Sequence, residues 1–320
     1  MEERQIADIN KIDETHQYKN GMISALGCSL WWGIMPIYWQ WLRPIDSVVI
    51  IFYRIVLVAI VCFLFALKVH GMEEIKSQLK PKGVKLRYFL AGLLITVNWS
   101  IYIWAVNADY VIQTCIGYYI EPLLVCIFGI VIFKDKLDKF KVISFIFAAI
   151  GVLTVIVYFK EIPLIALGLG FSFSIYAAIK KNYPMPPLLS LLYETIFIMP
   201  AALAVVIYLE ATGTGALSVG DPIKYFLLMF CGLFTAFPLI LFANAANKIH
   251  LFSLGLTEYI SPTISLIISI YLFKEPFDSI QLFAFGIIWI GLGFFSYGEY
   301  KHFKEGKEIN GTCHGRSGDL

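Results

Sequence analysis

Charge is what this chain has least of. Asp, Glu, Lys and Arg make up 15% of its 320 residues, against roughly 25% in ordinary soluble domains, which excludes a water-soluble globular protein. Short paired cysteine spacings are missing too. Cys28, Cys62, Cys115, Cys126, Cys231 and Cys313 are scattered through mostly apolar surroundings, so neither a disulfide scaffold nor a zinc module fits, and they read as small hydrophobes. Cys313 and His314 form one adjacent pair, too few ligands for a metal. There is no Walker sequence and no Ser-His-Asp set with a polar domain to hold it, which leaves soluble NTPase, hydrolase and nucleic-acid readings without support.

What the chain has instead is apolar surface: 59% of residues are hydrophobic and the mean hydropathy is +0.75. It is cut into ten windows of about 20 residues, the length that crosses a hydrocarbon core about 30 Å thick at 1.5 Å per residue. They run Gly21–Trp41, Asp46–Val69, Leu86–Asn107, Val111–Phe133, Lys139–Tyr158, Ile162–Lys181, Pro187–Glu210, Pro222–Ala243, His250–Phe273 and Asp278–Glu299. Val142–Val157 is almost continuously apolar, unlike the alternating strands of a membrane barrel, so all-α spans are expected. With a cytoplasmic N-terminus, twenty Lys and Arg fall in inside segments and three (Arg43, Lys160, Lys274) in outside loops, which predicts both termini in the cytoplasm. The acidic first 20 residues do not resemble a cleaved signal peptide, and the polar, Gly-rich stretch 300–320 reads as a disordered tail. The basic loop Gly71–Arg87 suits anionic headgroups and needs no nucleic-acid partner.

A repeat organises the windows. Shifted by 140 residues, Ile116–Ile156 overlies Leu256–Ser296 without a gap at eleven identities, among them Tyr119/Tyr259, Pro122/Pro262, Lys134/Lys274, Asp138/Asp278 and Gly151/Gly291. Apolar bias produces chance matches of Ile and Leu, but not a mid-span proline, a Lys and an Asp in one register. The expected domains are therefore a tail (1–20), a first five-helix repeat (21–158), a second (162–299) and a second tail (300–320). Five is odd, so the second copy enters the membrane inverted, as in secondary transporters that alternate access around a midplane site.

The stretches "NWSIYIWAVN" (Asn98–Asn107), "IGYYIEPL" (Ile116–Leu123), "IALGLGFSFSIYAAIKK" (Ile165–Lys181) and "YETIFIMP" (Tyr193–Pro200) resemble the RarD branch of the EamA-type drug/metabolite transporter superfamily, from about Gly21 to Tyr300. The resemblance implies a ten-helix permease of the bacterial inner membrane with cytoplasmic termini and a central cavity, exporting small metabolites without a cofactor. Glu121 departs from the Asn more usual before the mid-span proline of that branch.

Four ionisable side chains lie inside the windows: Arg54, Glu121, Glu194 and Glu258. Each costs about 2.5 to 3.5 kcal/mol at the membrane centre, so each should face the bundle interior. By helical rise, Arg54 and Glu194 differ by roughly 8 Å in depth; they either pair as a packing device or serve a substrate or proton site. Glu121 and Glu258 are candidates to carry a proton or to balance a cationic or zwitterionic solute. Pro122 and Pro262 should kink their helices and free backbone carbonyls, beside the hydroxyls of Tyr118, Tyr119, Tyr259, Ser261 and Thr263. Ser100, Trp104 and Asn107 share one face of their helix, with Trp104 a candidate cavity wall and Asn107 either a ligand or a helix cap. Trp31 and Trp32 are deep enough to line the cavity, and Gly27, Gly168, Gly170, Gly291 and Gly293 suit close helix contacts.

The reading is a permease, not an enzyme, moving a small polar or amphipathic metabolite, amino acid or drug-like compound by alternating access. Its substrate-binding candidates are Arg54, Trp104, Asn107, Tyr118, Glu121, Glu194, Glu258, Tyr259 and Ser261, with the proton as candidate co-substrate and the bilayer as its setting. The alternative is an intramembrane enzyme acting on a lipid with a buried Glu as base.

Overall fold

The computed structural model describes residues 2–107, 111–159, 164–272, 274 and 279–315, with side chains outside the description at 2–14, 103, 106–107, 111–115, 159, 269, 281 and 305–315. Among the described residues there are helices and turns but no strand. The α-helices are α1 (Glu2–Trp41), α2 (Ser47–Val69), α3 (Gly71–Ser77), α4 (Val84–Asn107), α5 (Val111–Val131), α6 (Lys139–Phe159) and α7 (Leu164–Asn182), then α8 (Pro187–Ile196), α9 (Met199–Ala211), α10 (Pro222–Met229), α11 (Cys231–Lys248), α12 (Leu251–Glu258), α13 (Ile260–Tyr271) and α14 (Ser279–Gly315). Eight described helical stretches are long and apolar enough to cross a membrane, and Ile116–Val131 is a shorter apolar one.

Local chemistry sets where these helices start and stop. The side chains of Asp46, Asp138 and Asp221 accept hydrogen bonds from backbone N–H groups at the first turns of α2, α6 and α10, satisfying donors that have no partner within the helix. After α5, Lys134 adopts φ +54° while the Asp135 N–H donates to the Gly129 carbonyl at 3.0 Å, a seven-residue closure one residue wider than the Schellman bond. Lys274, its counterpart 140 residues on, has the same φ.

Three sequence windows that read as single helices are each broken in two. The breaks fall at Phe197–Ile198, Phe230 and Tyr259. At the first and third the reason is proline: Pro200 and Pro262 lack the N–H that the Ile196 and Glu258 carbonyls would otherwise receive. Pro122 behaves differently. It sits inside an unbroken α5, which is held along its length by α7 and α12. At the chain end, α14 continues past Tyr300 to Gly315, where composition suggested disorder; Lys301/Glu305 and Lys304/Glu308 stand four apart, a spacing that supports helix.

The packing follows a consistent pattern. α1 lies on α11 and α13, α7 on α4 and α5, α2 on α8, α9 and α11, and α6 on α14. α5 crosses α12 closely: a Cβ at Gly255 would fall 2.8 Å from the Pro122 carbonyl oxygen, and one at Gly129 2.5 Å from the Phe252 nitrogen. Small residues thus set the approach of these helices, as expected inside lipid. Gly170 and Gly291 also stand at tight contacts, whereas Gly293 has nothing within 4 Å and does not serve that purpose.

Gly255→Ala is accordingly expected to cost about 1–3 kcal/mol of stability by overpacking, since backbone atoms of α5 block the new methyl. Gly293→Ala should show no loss. Thermal unfolding of the two purified variants in detergent checks the contrast, and equal midpoints would refute it.

Candidate functional site

The two halves of the span broken at Tyr259 differ in surroundings. Every residue of α12 is buried, and α12 packs mainly on α5 and also on α1; α13 packs on α1, and its residues 260–266 are partly exposed. α12 is therefore enclosed along its whole length, whereas α13 is only partly covered.

The end of the bundle where α12 starts carries Lys134, Lys136, Lys181 and Lys248, and it is tied by polar contacts. His250 precedes α12 but offers its N-terminus no side-chain bond. Asp135, from the turn after α5, supplies it: Oδ2 accepts from the Phe252 N–H at 2.9 Å and Oδ1 lies 3.3 Å from His250 Nδ1. Desolvation pushes the Asp135 carboxyl up, but its contact with the His250 ring, the bond from the Phe252 N–H and the nearby Lys181 charge outweigh it, so the group is held below its ordinary range. Lys181 Nζ donates to the Ile249 carbonyl at 2.6 Å. The Tyr18 hydroxyl reaches Ser253 Oγ at 3.1 Å and Glu299 Oε1 at 3.2 Å, and Lys141 lies 3.4 Å from Glu299.

Glu194 and Arg54 do not pair. Glu194, fully buried, forms an ion pair with Lys180, itself 3% exposed. Ser190 donates to Glu194 Oε1 at 3.0 Å, Tyr176 to Oε2 at 3.1 Å, and Lys180 to Ser190 Oγ at 2.7 Å. This is a closed, neutral cluster. Sequence reading missed Lys180 because it precedes Lys181 at a helix end and looks like a loop charge.

Arg54 instead lies with its guanidinium carbon 3.8 Å from the ring centre of Trp99 and 5.6 Å from that of Trp39. Trp99 is thus the tryptophan of α4 that meets Arg54. Trp104 is 56% exposed and, at 100° per residue, lies on another face of α4. Tyr118, 45% exposed, packs against Tyr102 with ring centres 5.8 Å apart.

At the break, Glu258 is buried with neither carboxyl oxygen hydrogen-bonded among the described residues. Glu121 is partly exposed one turn beyond Tyr118 on α5. Tyr259 is fully buried and donates its hydroxyl to the Tyr119 carbonyl at 3.0 Å, linking α13's first turn to α5. Ser261 is partly exposed on α13. The Asn107 side chain lies outside the described residues. Trp32 packs between Phe173 and Phe242, and the Trp31 indole donates to the Phe234 carbonyl; both join helices together.

The chain has relatives. A model of the EamA-like transporter family matches residues 19–157 and again 161–297. An uncharacterized transporter, YojE, of Bacillus subtilis is 37% identical over 88% of this chain and 95% of its own length. The protein RarD of Streptomyces exfoliatus is 31% identical over 87% of this chain and 88% of its own, and RarD of Escherichia coli 26% over 88% and 95%. One crystal structure, 12% identical, superposes with a TM-score of 0.67 over 86% of this chain and 96% of that one, a likeness of fold alone.

Because the Lys180–Glu194 pair is buried, Lys180→Met should destabilise the protein by about 3–5 kcal/mol by leaving the carboxylate alone, while Lys180→Met combined with Glu194→Leu recovers most of the loss. Unfolding midpoints of the single and double variants test this. A single variant that unfolds with the wild type would show that the pair is not holding the bundle.

Proposed function

The chain belongs to the EamA-like transporter family, and from that premise we propose that it is a secondary-active permease of the bacterial inner membrane, exporting a small polar or amphipathic metabolite by alternating access. The proposed architecture is ten spans in two inverted five-helix repeats, with both termini cytoplasmic. The two stretches that match the family, 19–157 and 161–297, and the matching turns at Lys134 and Lys274 support the repeat. The proposed substrate site lies between the enclosed α12 and the partly covered α13 and draws on Arg54, Tyr118, Glu121, Glu258 and Ser261, with Trp104 and Asn107 toward its rim. Tyr259 and Glu194 are proposed to shape it through their bonds to α5 and α7.

One observation carries this reading: Glu258 stands unpartnered where buried α12 gives way to partly exposed α13. A carboxyl in apolar surroundings without a hydrogen-bond partner is costly as a bare charge, and such groups in spans mark ion and proton paths. In the proposed cycle a proton or the solute's own cationic group occupies it, and Glu121 one step away on α5 shares that duty. Rocking of α12 against α5 then opens the basic end as α13 closes the other, with the site fixed between them.

Reconstitution in vesicles tests the reading. Labelled solutes from a metabolite panel should show counterflow without chemical change, and an imposed pH gradient should alter its rate in the wild type but not in Glu258→Gln. Chemical conversion of a lipid or solute without any exchange would replace the permease with an enzyme.

A further inference from the structure

Arg54 is a half-buried cation whose neighbours are mostly aromatic. Its guanidinium sits over Trp99 of α4, faces Trp39 of α1, and has Tyr102 of α4, Tyr118 of α5 and Cys231 of α11 as its titratable neighbours. Trp39 and Trp99 thus cover it from α1 and α4, and its electrostatic neighbours lie on α4, α5 and α11. It makes no ion pair among the described residues, and its Nε is buried without a hydrogen-bond partner. The two indoles engage the flat face of the guanidinium. They leave its edge, the fork of N–H donors that matches an oxyanion in two parallel bonds, unused.

From this geometry we propose that Arg54 is the receptor for a carboxylate on the transported solute, and that the aromatic collar of Trp39, Trp99, Tyr102 and Tyr118 receives the apolar or aromatic group attached to it. The proposal rests on the permease reading, whose substrate class it names. A carboxylate fits better than a phosphate monoester: the site offers one full positive charge, none of the neighbours of Arg54 named above is Lys or Arg, and a phosphate dianion would enter with one charge unmatched. Stacking alone does not account for an arginine, because an apolar side chain fills an aromatic collar without desolvating a charge. Glu121 lies one turn deeper on α5 than Tyr118, so the carboxyl-bearing end of the solute points away from it toward Arg54.

Phenylacetate and benzoate are the probes, with phenylacetamide and benzamide as neutral isosteres and inorganic phosphate as the second anion. Binding to purified protein is read by quenching of tryptophan fluorescence, with Trp99→Phe to assign the signal, and by thermal shift. The acids should saturate, the amides and phosphate should not at equal concentration, and Arg54→Gln should weaken the acids at least tenfold, with Arg54→Lys in between. Amides that bind as tightly as acids, an Arg54→Gln variant with wild-type affinity, or no saturation by either acid would overturn the proposal; the acid–amide comparison needs no variant to fold. Counterflow in vesicles separates the two readings. Arg54-dependent acid binding with no solute exchange would remove the permease and leave the receptor, whereas exchange of neutral solutes unchanged in Arg54→Gln would remove the receptor and leave the permease.

Discussion

The missing N–H of Pro262 is the constraint on which the site depends. Without it the Glu258 carbonyl has no helical donor, the span breaks at Tyr259, and its two halves differ in packing: α12 lies buried mainly on α5 and also touches α1, while α13 leans on α1. The break also fixes where polar chemistry sits, because Glu258 ends one half and Ser261 starts the other. Contacts from α5 and the turn after it hold α12 in place: Gly255 and Gly129 allow the backbone approach, and Asp135 caps the short helix from another segment.

Charge sorts into structural and available groups. Lys180 and Glu194 neutralise each other inside a ring of hydroxyls, and Lys141 with Glu299 does so nearer the basic end. Arg54 and Glu258 are left without ion-pair or hydrogen-bond partners among the described residues. In the proposed cycle these are the groups that a solute or proton meets; they lie on α2 and on the broken span, whose second half is partly exposed. Pairing of the other buried charges is expected where charge is costly.

Much of the fold was legible in composition and period. Apolar windows marked the helical stretches, and the 140-residue shift aligned Lys134 with Lys274, which adopt the same unusual backbone angle. Prolines 200 and 262 were visible, but not that Pro122 would remain inside an unbroken helix, since that depends on how α7 and α12 clamp α5. The site was less legible because sequence spacing fixes a residue's face and depth, not its partner across the bundle. Arg54 and Glu194 were near enough in depth to suggest a pair, yet Lys180, one residue before an ordinary helix-end lysine, took the carboxylate. Trp104 shared a face with Ser100 and Asn107, whereas Trp99, five residues earlier on another face, is the indole that meets Arg54.

The central claim is that the basic end closes and the opposite end opens around one fixed site, and that the two exchange. Spin-label distances measured in lipid test it directly, using one pair at Lys136 and Lys248 and another at Leu164 and Tyr271. On addition of a solute that the vesicles exchange, the account predicts that the first distance lengthens as the second shortens. Distances that stay fixed, or that change in the same sense, would contradict it.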